Sequence, residues 1–266
     1  MGTTHFRSLL RYADPRTNAR AGTVPRMAGL APYLDFLSDY QVYANNFIKS
    51  TDYDATNEWT LTSIGSTGTA VLSDDLFPSH LIITNTAAND DSVEIQFTDS
   101  DSAGECWSVV AAKKLYFETR IRMRDTNNDV ATVVQRDVFV GLAITDTTVE
   151  AGATDFIGFS KKDGTGLINV VAGKNASGSG ELQDGLVLST GRTLAAADAN
   201  VWVKLGFLCV GGSAIYAFVD NVHVATSAVV TNHPDDEMLC VTVTNRNGEG
   251  VIKILDVDYL LVAQER

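Results

Sequence analysis

Carboxylates are the first residue type in this sequence that could carry chemistry. Glycoside hydrolysis needs two carboxyls flanking the scissile bond, about 5–9 Å apart. The nearest glutamates in sequence, Glu94 and Glu105, are eleven residues apart. No strand carries an E-x-D-x-x-E run that would set carboxylates on one face. The aspartate pairs Asp99 and Asp101, Asp125 and Asp129, and Asp235 and Asp236 fall in expected loops, where solvated acids need no further role. The run Asp99-Ser100-Asp101-Ser102-Ala103-Gly104 matches the first, third and sixth positions of an EF-hand loop. Ala103 at the fifth position and Val110 at the twelfth do not match, so the bidentate acid is missing. A looser calcium site built from loops stays open.

Nucleophiles fare no better. The four histidines are His5, His80, His223 and His233, and there is no G-x-S-x-G elbow. Cys106, Cys209 and Cys240 form an odd, widely spaced set without a C-x-x-C pair, which excludes a disulfide framework and a zinc ribbon. Cys209 and Cys240 lie in apolar runs and read as buried small hydrophobes. Gly173-Lys174 lacks the upstream glycine of a phosphate loop. The expectation is a chain that is not an enzyme and holds no cofactor or metal. Two aromatics stand out instead. Tyr116 and Trp202 take the phase opposite the most apolar face of their strands, which suits a sugar platform or a subunit contact.

The elements that would position these residues are strands. Leu115, Phe117, Thr119, Ile121 and Met123 alternate with Tyr116, Glu118, Arg120, Arg122 and Arg124, as in a strand with one buried and one wet face. Val201, Val203, Leu205 and Phe207 alternate with Trp202, Lys204 and Gly206, and Leu239, Val241 and Val243 with Cys240, Thr242 and Thr244. The run from Val138 to Ile144 is apolar throughout and reads as a central strand covered on both sides. Near the C-terminus the apolar phase changes, and a β-bulge is expected at Ile254-Leu255. Asp163-Gly164, Gly211-Gly212, Asp220-Asn221 and Asn247-Gly248 supply residues that tolerate the positive φ of tight hairpins. Trp202 to Val210, Ala214 to Val219 and Val222 to Ala225 then form an antiparallel meander. About thirteen strands follow residue 46 at hairpin spacing, without intervening helices. The fold class is all-β, an antiparallel two-sheet β-sandwich preceded by an irregular N-terminal arm.

The arm spans residues 1–45 and the sandwich 46–266. Pro15, Pro25 and Pro32 forbid a regular element through the first 32 residues. A short helix is expected from Pro32 to Tyr40. Residues 1–26 of the arm carry Arg7, Arg11, Arg16, Arg20 and Arg26 against Asp14 alone, a net +4, whereas the whole chain of 266 residues carries −13. An acidic body repels nucleic acid, while the five arginines could meet an acidic partner. No run of about 18 apolar residues is present to span a membrane, and no secretory signal is recognised.

Three runs carry a resemblance: Trp202-Val203-Lys204-Leu205-Gly206-Phe207, the hairpin from Ile215 to Val224, and Asp256-Val257-Asp258-Tyr259-Leu260-Leu261-Val262. They resemble the later strands of concanavalin A-like (laminin G-like) jelly rolls. Together with Lys114 to Arg120, Val140 to Asp146, Phe159 to Gly164 and the terminal Ala263-Gln264-Glu265-Arg266, the pattern is similar to a group of tailed-bacteriophage virion proteins over residues 46–266. The resemblance implies a head decoration or cement protein on the capsid exterior. Its partners would be the major capsid protein and further copies of itself, with the basic arm as tether. A tail-associated or host-surface carbohydrate-binding module is the alternative. Glycosidases of similar fold carry catalytic glutamates in a pattern this sequence lacks.

Overall fold

The computed structural model describes residues 40–47, 52–55, 57–73, 79–98, 104–125, 134–175, 186–193 and 200–266. Period-two patterning is realised as strands throughout. They run β1 (Tyr40–Asn45), β2 (Trp59–Ile64), β3 (Thr69–Leu72), β4 (Leu81–Thr84), β5 (Ser92–Phe97), β6 (Lys114–Asp125) and β7 (Arg136–Ala143). Among the described residues a single four-residue helix, α1 (Val149–Gly152), precedes β8 (Phe156–Lys161). The series continues with β9 (Leu167–Gly173), β10 (Leu186–Thr193), β11 (Trp202–Val210), β12 (Ala214–Val219), β13 (Val222–Ser227), β14 (Cys240–Asn247) and β15 (Lys253–Glu265).

Two antiparallel sheets result. The first has the order β13-β12-β11-β6-β15-β4-β3, with β1 also paired along β15, and the second has the order β10-β9-β8-β7-β14-β5-β2. The expected sandwich is therefore present. Between the sheets lies one apolar core, to which Phe117, Ile121, Val140, Phe159, Phe207, Val243 and Leu255 contribute. Phe117, Ile121, Phe207 and Val243 are residues whose alternation marked the inward phase, because successive side chains of a strand point to opposite faces. The meander β11-β12-β13 turns at Asp220 and Asn221, whose φ values of 49° and 69° are those a tight primed turn requires.

Two boundaries differ from expectation. Tyr40–Asn45, assigned by sequence to the arm, is β1, and its register on β15 runs from Tyr40 opposite Glu265 to Asn45 opposite Leu260. The strand joins the sandwich because Tyr43 packs onto the main core, its ring 4.8 Å from Phe97, while Val42 and Ala44 pack on the opposite face. The expected helix from Pro32 lies outside the described residues up to Tyr40, which begins the strand. The bulge of the last strand falls between Val257 and Tyr259, three residues after Ile254-Leu255. Leu255, Val257, Tyr259 and Leu261 keep one phase apolar on both sides of the shift, so alternation alone could not place the extra residue.

Candidate functional site

β6 lies between β11 and β15, and its outward side chains face those of both neighbours. Arg122 stands opposite Trp202 on β11 and Asp256 on β15. Two guanidinium groups lie over the Trp202 ring: the Cζ atoms of Arg122 and Arg120 are 4.6 and 5.1 Å from its centroid. The His80 ring meets it edge-on at 5.5 Å. Beneath the arginines sit two carboxylates. Asp256 accepts Nε of Arg122 at 2.7 Å and Nε of Arg124 at 2.7 Å, and its Oδ1 lies 3.6 Å from Nε2 of His80. Asp258, the extra residue at the bulge, lies 3.3 Å from Nη1 of Arg120. Asp256 and Asp258 are two positions apart, the spacing that sets both on one face of a strand, and the bulge then turns Tyr259 to that face as well.

Further along the same face, Glu118 accepts three donors. Tyr116 and Tyr259 each donate a hydroxyl at 2.6 Å, and Nζ of Lys204 lies 2.9 Å away. Burial raises the Glu118 carboxyl above the usual range, while Lys204 and the two phenols pull it back. Burial likewise drives the Tyr116 phenol upward, with the Glu118 charge adding to the effect.

Only one of the two aromatics expected to make contacts is available. Trp202 is partly exposed. Tyr116 does face outward in phase, yet it is 2% exposed and packs in a second apolar layer with Leu208, Phe218, Tyr259, Leu261 and Ala263. A residue so enclosed offers no surface to a sugar or a second subunit. The reason is that this sheet is apolar on both faces along half its length. The arm residues Arg7, Arg11, Arg16, Arg20 and Arg26 lie outside the described residues, as do Asp99, Asp101 and Asp129. Among the described residues no group of three or more His, Cys, Asp or Glu is placed to hold a metal ion. His223 is exposed and bonds Thr226 at 2.8 Å, in keeping with its reading as a surface residue.

The second sheet carries a feature that sequence reading missed. The segment from Ile144 to Ala153, including α1, lies over its outer face on an apolar footing of Phe139, Ala143, Phe156 and Val171. Glu94 of β5 accepts the backbone N–H of Val149 at 2.7 Å, and Glu150 of α1 accepts the hydroxyl of Thr244 at 2.6 Å. Desolvation raises the Glu94 carboxyl to about 7, with the nearby Asp146 adding to the shift. Glu150 is raised to about 8, by burial first and then by the charges of Asp137 and Glu94. These acids stand 56 positions apart in sequence, so no search along one strand could pair them.

No protein-family profile and no curated relative matches the chain. Solved structures do share its fold. The chain is similar to an endo-1,3-β-glucanase from Streptomyces sioyaensis, with a TM-score of 0.57 and 15% identity over 87% of this chain and 99% of that one. It is similar to a glycoside hydrolase family 16 endo-glucanase from Bacteroides ovatus, with a TM-score of 0.53 and 13% identity over 82% and 98%. A β-glucanase from Bacillus licheniformis gives a TM-score of 0.50 and 15% identity over 85% and 98%. These likenesses establish the concanavalin-like jelly roll. They also correct the expectation that the chain is not an enzyme. Endo-glucanases use this fold, and the meeting of Glu94 with Glu150 demonstrates that a missing one-strand motif does not exclude paired carboxyls.

Proposed function

We propose that the protein binds carbohydrate on the outer face of the first sheet, with Trp202 as the stacking platform. One observation carries this reading: the partly exposed indole is fixed among Arg120, Arg122 and His80. A sugar ring presents an apolar C–H face and a rim of hydroxyls. A partly exposed indole with planar donors lying over its ring, and carboxylates holding those donors in place, complements both features. The fold shared with endo-glucanases supports a carbohydrate over other ligands. The resemblance to virion proteins gives this reading its setting, a tail-associated or host-surface module. Capsid decoration rests on the arm arginines and draws no support from the described sandwich.

A glycan array probed with the full chain, followed by titration of each hit, tests the reading. Trp59 and Trp107 are both buried, so a ligand-induced change in tryptophan fluorescence reports Trp202. Saturable binding that is lost in Trp202→Ala is expected. A flat array, or hits that bind W202A equally well, would overturn the proposal.

A further inference from the structure

We infer that the glycan taken on the Trp202 face is an acidic one, bearing carboxylate groups on its sugars. This inference rests on the carbohydrate reading and narrows it to a ligand class. The face is layered by charge. Arg120 has its side chain 40% exposed, and Arg122 and Arg124 are partly exposed, whereas Asp256 and Asp258 beneath them are 0% and 4% exposed. An arriving ligand therefore meets guanidinium groups first and finds the acceptors already covered.

The arginines occupy alternate positions of one strand, so their stems leave the sheet about 7 Å apart in a row. Asp256 engages Nε and Nη2 of both Arg122 and Arg124, and Asp258 engages Nη1 of Arg120. The Nη1 groups of Arg122 and Arg124, and Nε and Nη2 of Arg120, have no hydrogen-bond acceptor among the described residues. Guanidinium donors in this fork geometry match the two oxygens of a carboxylate. Three arginines share the two carboxylates of Asp256 and Asp258 among the described residues, in a chain of net −13. Neutral sugars, which need acceptors as well as donors, are served less well by such a surface.

The direct test compares an oligogalacturonate with its fully methyl-esterified form, which keeps the sugar rings and removes the charge. A neutral cello-oligosaccharide and a short single-stranded DNA complete the set. Titrations use the full chain and the variants Arg120→Gln, Arg124→Gln and Arg124→Lys, each checked by thermal melting. The expected result is at least a tenfold preference for the acid over the ester, weakening as salt rises. R120Q and R124Q should lose that preference, and R124K should retain part of it. R124K also keeps the test valid if R124Q does not fold. Equal, Trp202-dependent binding of acid and ester would overturn this inference while leaving the carbohydrate reading standing. Failure of every sugar to bind would sink both. DNA binding as tight as the oligogalacturonate would also overturn the inference, because the row would then be a general polyanion contact.

Discussion

The register of β15 on β6 steps over Asp258, and the carboxylate of that residue lies 3.3 Å from Nη1 of Arg120 on the neighbouring strand. One extra residue thus shifts the alternation of the strand by one position. Before the bulge, Leu255 and Val257 point into the core. After it, Leu260 and Val262 do.

Deleting Asp258 should be tolerated, although it lies inside a long central strand. Removal closes the bulge and joins Val257 to Tyr259, which keeps Leu255, Val257, Leu260 and Val262 on the core face and Tyr259 and Leu261 on the outer one. Cooperative unfolding is expected to persist, and its loss in urea denaturation would contradict this register. Asp258→Asn keeps the register and ends a pair whose arginine is largely solvated, so a cost of about 1 kcal/mol or less is expected in urea denaturation.

Glu118 is expected to be the most sensitive polar position on this face. It accepts Tyr116, Tyr259 and Lys204. Glu118→Gln removes the charge facing the half-buried Lys204 ammonium, and breaking a buried pair from one side costs about 3–5 kcal/mol. Tyr116→Phe removes one hydrogen bond and should cost about 1 kcal/mol. Chemical denaturation of the two variants checks the ranking, and equal costs would refute it.

Stability should fall as pH rises from about 4.5 to 8. Glu94 and Glu150 hold their protons to about 7 and about 8 when folded, against 4.5 for an unperturbed glutamate. The folded state thus binds more protons across that window, and its advantage disappears as the pH passes the folded values. At about 1.4 kcal/mol per pKa unit, Glu94→Gln should remove about 3 kcal/mol of this decline. Lys161 acts in the opposite direction. It is buried, with Nζ 2.6 Å from the carbonyl oxygen of Arg136, and desolvation, helped by the Arg136 charge, lowers it to about 7. Its contribution is absent below about 7 and grows towards pH 10.5, so melting temperatures should pass through a minimum near neutral pH. A monotonic profile would contradict this account.

Gly141 and Gly158 face each other across β7 and β8. A Cβ on Gly141 would lie 2.4 Å from the Gly158 Cα and 2.5 Å from the Ile157 carbonyl oxygen, both backbone atoms that cannot step aside. Gly141→Ala is expected to destabilise by about 3 kcal/mol or more, as overpacking of rigid neighbours does. Gly164→Ala, at a turn glycine with open space around it but φ of +69°, should cost only about 1 kcal/mol.

What the sequence by itself determined is the identity of the strands and the side of each that is buried. A strand in a sandwich must send alternate side chains into one core, and that constraint is written within six or eight neighbouring residues, as in Leu115 to Arg124 or Trp202 to Phe207. The tight turns were equally legible, because positive φ selects residues such as Asp220-Asn221 locally. Only the tertiary structure decided which outward residues meet. Arg120 and Asp258 are 138 positions apart, and His80 reaches Trp202 from β11's far side of the chain order. Glu94 of β5 meets the covering segment that carries Glu150. Register across such separations depends on the summed packing of every strand pair, and the bulge at Asp258 shifts it by one residue. Tyr116 illustrates the limit most simply. Alternation turns it away from the core, and a second apolar layer on that outer face buries it again.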